Sequence, residues 1–355
     1  MPDSNVTVEK SASNSGWSLF GWIYRHGEKF WWLHSLYALL LGVGMMWLGT
    51  RKFAYLRIAV FHISFIWLSS LLLPKLLEHQ RLPARWVPRV RLLVNFLNKN
   101  FYQQVLFFVL PIYYASATPG SRNIAFVALV GLSATLSTLD LVYDRHLSVK
   151  RGLTAVFFAF NLFALINVML PVLWSVSNTS TTRISALLAL IGFLTLYSPP
   201  AASTTRRIAF GLLIALLLVG LIEGGRSLIP PAPLRLVKAE FGSGFEEESL
   251  QVEPVITRLD PGGSQRLYGV TAIRAPLGLK EKVQHRWYQN GKLIFASPFY
   301  NMIGGREQGF RLWTACTLHD ISPGGELRLD LQTEGGQLIG RAGLKAGNSR
   351  RLSPE

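Results

Sequence analysis

Residues 100–121 read NFYQQVLFFVLPIYYASATPGS, an uncharged run of 22 residues between Lys99 and Arg122. Two further runs match it: 21 residues separate Lys29 from Arg51, and 22 separate Arg183 from Arg206. Each run supplies the roughly 20 helical residues, at about 1.5 Å apiece, that a hydrocarbon core demands. Working outward from these runs, the spacing predicts an α-helical membrane bundle of about seven transmembrane helices, near residues 30–49, 53–73, 101–118, 122–143, 153–174, 182–202 and 207–225.

Composition agrees with that expectation. In 355 residues, 50% are hydrophobic and 16% charged, with a mean hydropathy of +0.29, which is too apolar for an ordinary soluble domain. The formal charge of +16 is unevenly spread: residues 1–225 hold 19 Lys/Arg against 7 Asp/Glu, and residues 226–355 hold 17 against 13. The excess falls on loops between spans, where it sets orientation and attracts anionic head groups. No basic tract interleaved with aromatics marks a nucleic-acid interface, so nucleic acid is not an expected partner; the lipid bilayer is.

Counting Lys and Arg on alternate sides places 14 on one side and 4 in the inter-helix loops of the other. The N-terminus is therefore expected in the cytoplasm, and an odd number of spans sends the C-terminus out. Residues 1–29 read as a cytoplasmic N-terminal segment, polar over 1–16 and without a cleavable signal. Residues 85–99 mix Trp86, Val90, Leu93, Phe96 and Leu97 with Arg85, Arg89, Arg91 and Lys99. They fit either an interfacial helix or an early start of the third span.

Polar residues within the spans are the first place to look for function, since burying them in lipid is costly. His62 and Asn161 fall mid-span, at depths that allow them to meet, and Asp140 lies near the inner end of the fourth span. A proton or ion relay competes here with plain interhelical hydrogen bonding, which one histidine and no deep carboxylate favour.

After Glu223 the composition changes. Residues 226–233 form a Pro-rich connector, residues 234–346 read as an extracytoplasmic all-β domain, and 347–355 as a disordered tail. Eight candidate strands, over 234–241, 250–257, 267–273, 282–288, 292–297, 310–318, 327–332 and 337–344, suggest an immunoglobulin-like sandwich. Asn290-Gly291 between alternating runs predicts a type I′ hairpin pairing Tyr288 with Leu293, Trp287 with Ile294 and Arg286 with Phe295. Trp287 then faces the core. Arg286 and Tyr288 face out, as Arg311 and Trp313 do in a later strand, and the four suggest one face for a glycan or anionic ligand.

These residues also carry a resemblance. His285-Arg286-Trp287-Tyr288-x-Asn290-Gly291-Lys292, Phe310-Arg311-x-Trp313, Gly325-x-Leu327-Arg328-Leu329-x-Leu331 and Gly336-x-Leu338-x-Gly340 together resemble the domain of unknown function numbered 2914. Members often carry Trp at the position of Leu327. The resemblance covers about 110 residues and implies a bacterial membrane protein with the domain after a multi-helix region. It brings no activity and no catalytic residues.

No nucleophile elbow, phosphate loop, dinucleotide fingerprint or zinc-protease motif occurs. The seven histidines stand singly, and the lone Cys316 excludes an intramolecular disulfide. No cofactor or metal is expected. The expected function is that of a bacterial inner-membrane protein, multi-pass and non-catalytic, whose β-sandwich binds an envelope protein or glycan. A transporter or intramembrane enzyme with its pathway through the bundle is the alternative; Pro111 and Pro171 are the candidate helix breaks for it.

Overall fold

The computed structural model describes residues 40, 55–78, 83, 86–139, 147, 149–197 and 203–347. The expected span 30–49 (apart from Leu40), the N-terminal segment, Asp140 and the tail after 347 lie outside the described residues.

Six described helices precede the strands: α1 (Tyr55–Glu78), α2 (Val87–Ser116), α3 (Ile124–Thr138), α4 (Arg151–Trp174), α5 (Asn178–Leu196) and α6 (Thr204–Gly225). Residues 87–99 of the ambiguous stretch are the start of α2, one 30-residue helix with a proline in its first turn, where a fixed φ and a missing N–H cost nothing. Pro111 and Pro171 sit inside α2 and α4, and both helices run on past them.

Among the described residues, three stretches are long and apolar enough to cross a membrane: Arg151–Trp174, Asn178–Leu196 and Thr204–Leu228. This is fewer than the seven expected. The first expected span is not described, α3 has only 15 residues, and Arg89, Arg91 and Gln103 dilute α2. The most apolar window of α4 is 67% buried and that of α6 only 6%. Burial rather than apolarity therefore marks α4 as the axis of the described helices. Phe158, Leu162, Leu165 and Val168 of α4 pack with Ile66 of α1, Leu106 and Phe108 of α2, and Val130 and Ala134 of α3.

The C-terminal part is two antiparallel sheets sharing one core. The strands are β1 (Arg235–Gly242), β2 (Phe245–Glu246), β3 (Gln251–Val252), β4 (Val255–Ile256), β5 (Ser264–Arg274), β6 (Lys280–Gln289), β7 (Lys292–Ala296), β8 (Tyr300–Ile303), β9 (Phe310–His319), β10 (Glu326–Thr333) and β11 (Leu338–Lys345). One sheet runs β4-β1-β5-β9, the other β11-β10-β6-β7 with β8 also on β6, and β2-β3 is a small hairpin. Phe241, Leu267 and Leu318 of the first sheet meet Trp287, Leu327, Leu329 and Leu344 of the second. β2 and β8 were not expected; both are short strands without a clear alternation.

Asn290 (φ 50°) and Gly291 (φ 80°) form the expected turn, as type I′ geometry requires. Tyr288 pairs with Leu293, but Trp287 pairs with Phe295 and Arg286 with Ala296. A bulge at Ile294 adds the extra residue. It leaves Ile294 exposed and brings Phe295 against the core, the reverse of the expected faces for these two residues.

Trp287 is fully buried, and it fits because Gly269 lies under it: a Cβ there would come within 2.8 Å of Trp287 Cζ2 and 2.9 Å of Leu329 Cδ2. We therefore expect Trp287→Ala to cost about 3–5 kcal/mol and Gly269→Ala about 1–3 kcal/mol by overpacking. Tyr288→Ala, with a half-buried ring on the other face, costs less than either. Chemical unfolding of the full chain followed by near-ultraviolet circular dichroism ranks the three; a larger loss for Tyr288→Ala would invert the face assignment.

Candidate functional site

Strand alternation puts Trp287, His285 and Val283 inside β6, and turns Tyr288, Arg286 and Gln284 outward. On β10, Leu327, Leu329 and Leu331 are inside, with Arg328, Asp330 and Gln332 on the other face. The register sets Tyr288 opposite Arg328 and Arg286 opposite Asp330, and Asp330 opposite Arg341 of β11. Three guanidinium groups thus gather around one carboxylate and one ring.

Arg341 donates Nε and Nη2 to Asp330 Oδ1 and Oδ2 at 2.7 and 2.9 Å, the bidentate pairing that planar groups favour. Those bonds raise the Arg341 pKa further. Arg328 Nε lies 3.4 Å from Asp330 Oδ1, and its guanidinium covers the Tyr288 ring at 4.1 Å, with Arg286 at 5.8 Å. Arg286 Nη1 reaches Gln332 Oε1 at 3.4 Å. The Nε groups of Arg286 and Arg328 are buried without a hydrogen-bond partner. The face has unused donors and more positive than negative charge, which suits an anionic group.

Arg311 and Trp313 are on β9, in the other sheet. Because the two sheets pack through their inner faces, these two residues and the pair Arg286 and Tyr288 point away from each other. The expected single four-residue face is therefore split. Trp313 stacks on Phe245 at 4.2 Å, Phe245 stacks on Tyr268 at 5.9 Å, and Arg311 donates to the Ser249 carbonyl and, at 3.2 Å, to Gln308 Oε1. That cluster pins the segment carrying β2 and β3 over the sheet. Arg328, Asp330 and Arg341 were missed by sequence reasoning. The alternation of Arg-Leu-Asp-Leu-Gln over 328–332 marks the outward side chains, but only strand order places them beside Tyr288.

Between the sheets lies a polar core. His285 Nε2 is 2.8 Å from Thr271 Oγ1 and Nδ1 2.8 Å from Thr314 Oγ1, which also accepts from Trp287 Nε1 at 2.8 Å. Burial lowers the His285 pKa to about 3. These bonds satisfy groups that would otherwise be costly inside a core, and the network fixes Trp287.

The seam between sheets and helices is also polar. The Asn178 N–H, at the start of α5, donates to Glu281 Oε2 at 2.7 Å; burial raises the Glu281 pKa, and this bond opposes the rise. Asn123 Nδ2 donates to the Leu338 carbonyl at 3.1 Å and Gln337 Nε2 to the Ile229 carbonyl at 3.0 Å. Gly335 enters so closely that a Cβ would lie 2.7 Å from Thr179 Oγ1 and 3.1 Å from Arg226 Cδ. Glu223 joins Arg183 at 3.0 Å and Arg226 at 2.8 Å.

Within the helices, His62 stacks on Phe101 at 4.3 Å and 6°. Asn161 donates to the Phe157 carbonyl of its own helix at 2.7 Å, and its Oδ1 is buried without a partner. No hydrogen bond among the described residues joins the two, and Asp140 is not described. No group of three His, Cys, Asp or Glu side chains among the described residues is arranged for a metal.

The comparisons extend this picture. The model of a family of unknown function, DUF5924, matches residues 16–268, and that of a protein of unknown function, DUF2914, matches residues 280–343. The second match supports the resemblance but starts at β6; β1 and the first part of β5 fall in the first match, and residues 269–279 fall in neither. No curated protein matches the sequence. Among solved structures, the Pseudomonas fluorescens alkylpurine DNA glycosylase AlkC bound to DNA containing an abasic site analog aligns over 70% of this chain and 98% of its own, at 11% identity and a TM-score of 0.22. That score is too low to bear on fold or function.

His285 yields a pH test. Its folded pKa is depressed from 6.5 to about 3, so the unfolded chain takes up a proton that the folded chain refuses. The stability contributed by the neutral ring is complete above pH 6.5 and falls toward pH 3, by up to about 1.4 kcal/mol per unit. Glu281, with a raised pKa, acts in the opposite sense above its ordinary 4.5. The readout is therefore the difference between wild type and His285→Gln, which should shrink as pH drops from 6.5 to 4 in thermal melts; a constant difference would exclude His285 from the titration.

Proposed function

We propose, for a chain that belongs to the DUF5924 family, that it is a bacterial inner-membrane protein whose helices cross the bilayer, and that its extracytoplasmic β-sandwich of immunoglobulin-like kind binds an anionic envelope glycan without catalysis. The observation that carries the reading is the Arg286, Arg328 and Arg341 cluster around Tyr288 and Asp330. It has two guanidinium Nε groups without a hydrogen-bond partner, and Asp330 is the carboxylate that ion-pairs with both Arg328 and Arg341.

Several features support the membrane placement. Among the described residues, three helices are long and apolar enough to cross. The basic excess lies on loops that this orientation puts in the cytoplasm. The helix ends that meet the sheets, at Asn123, Asn178 and Ile229, all fall on the side that the same orientation puts outside. Strand order supports the sandwich: β1, β5 and β9 correspond to strands A, B and E of the immunoglobulin arrangement and β6, β10 and β11 to C, F and G, with a buried Trp on the C-like strand. Rigid mounting suits a receptor, because a binding face held by buried hydrogen bonds loses little freedom on association. The transporter alternative draws no support from the described helices, which carry through both prolines.

Two measurements test the reading. Fusions after Glu355 should give active alkaline phosphatase and a dark fluorescent protein; the opposite pair would sink the orientation. In nanodiscs, the full chain should bind a phosphorylated lipopolysaccharide core oligosaccharide, and Arg286→Ala or Arg328→Ala should each weaken binding about tenfold or more, since a charge-assisted bond contributes about 1.5–3 kcal/mol. Arg311→Ala and Trp313→Ala should leave it unchanged. Equal binding of the dephosphorylated glycan would refute the anion reading.

A further inference from the structure

Between α3, α4, α5 and α6 lies a cavity of about 450 Å³ with no polar lining, a volume in the range of small-ligand pockets. Phe126, Phe160, Phe163, Phe193, Leu218 and Ile222 form much of its wall. It is elongated: its α6 wall runs from Ile214 to Gly225, which at about 1.5 Å per residue spans roughly 16 Å. It is also open to its surroundings, since Leu129, Val156 and Leu221, all in the wall, are exposed. No charged side chain lines it, and an ion-paired cluster stands beside the end nearest the sheets. There Gly225, Leu228 and Ile229 complete the wall, and Arg183 of α5 meets Glu223 of α6 at 3.0 Å with its side chain 62% exposed. Arg226 pairs with the same carboxylate at 2.8 Å, so two cations share one anion at the mouth.

A narrow apolar slot with a net positive mouth is complementary to one class of molecule, a long hydrocarbon chain ending in an anionic head group. We infer that this slot takes one acyl chain of an anionic phospholipid from the outer leaflet, with the phosphate against Arg183. The inference rests on the proposed bilayer placement of the helices, which brings the mouth to the level of the outer head groups. A bound chain also explains how α6, only 6% buried, is held: the ion pair ties its outer end to α5, and the chain fills the gap beside Leu218 and Ile214.

The test uses the full-length protein, extracted and delipidated in detergent, titrated with dioleoyl-phosphatidylglycerol or dioleoyl-phosphatidylethanolamine, and read by native mass spectrometry. Wild type should retain one tightly held phosphatidylglycerol. Leu218→Trp, which fills the slot from the lightly packed helix, should weaken that binding at least tenfold, as should Ala189→Trp from the opposite wall. If the Ala189 variant melts below wild type, Leu218→Trp decides alone. Arg183→Ala should weaken phosphatidylglycerol three- to tenfold and phosphatidylethanolamine less, since the ammonium of the latter offsets the phosphate charge that Arg183 meets. Equal retention by wild type and a folded Leu218→Trp protein would overturn the slot; no effect of Arg183→Ala on either lipid would overturn the head-group contact, and an effect of equal size on both would overturn the preference for an anionic head group. Alkaline carbonate extraction separates the two readings: release of the chain from membranes refutes the bilayer placement and this inference with it, whereas an integral, folded chain without the lipid refutes only the inference.

Discussion

The first turn of a helix has backbone N–H groups with no intrahelical partner, and covering that turn with another domain removes the water that would satisfy them. At α5 the Glu281 carboxylate meets this constraint by accepting from Asn178 N–H at 2.7 Å, favourably placed at the positive end of the helix. Much of the relation between the two halves follows from it. With β6 held there, the β10–β11 turn drops between Thr179 and Arg226, where a Cβ at Gly335 would force the Thr179 and Arg226 side chains to shift. Leu338 then comes within reach of Asn123, and Gln337 within reach of Ile229. The connector is correspondingly not a free spacer: Ala232 and Ile229 are buried against the helical core.

How much of this was legible in the sequence depended on the range of the interaction involved. The I′ turn at Asn290-Gly291 and the inward side of Trp287 are local properties of alternating strands, and they were readable. So was most of the strand list. What failed needed distant partners. Arg286 and Arg311 both face outward in their own strands, but whether two outward faces are one face depends on sheet membership, and β6 and β9 lie in opposite sheets. The hairpin register slipped at Ile294 because the core gains more from Phe295 than from a regular ladder. Glu281 and Asn178 are 103 residues apart, and nothing in either local sequence announces the bond.

The helical half was legible by length and charge but not by count. Uncharged runs report the apolar extent of a segment, whereas a helix is bounded by its hydrogen bonds and caps. α2 therefore starts at Val87 despite Arg89 and Arg91, since a continuous helix keeps its backbone paired where an interfacial break would not. His62 and Asn161 show a similar limit: depth along a helix was readable, but the direction of the side chain was not. One stacks on Phe101 and the other bonds within its own helix, and both arrangements serve packing.

The two Arg clusters of the sheet domain differ in a way that bears on which of them is available to a ligand. Arg311 spends donors on the Ser249 carbonyl and Gln308, and the Trp313 ring stacks on Phe245, so that face is partly covered by its own chain. On the opposite sheet, Arg341 is fully engaged with Asp330, and that engagement limits what Asp330 can give to its neighbours: Arg328 approaches it only at 3.4 Å, and Arg286, although in register with it, bonds Gln332 instead. Arg341 thus neutralises the carboxylate and leaves Arg286 and Arg328 as partly satisfied cations on either side of Tyr288. A half-satisfied polar cluster is a net cost to a fold unless something else completes it, and an anion bridging the two guanidinium groups over the tyrosine edge would complete this one.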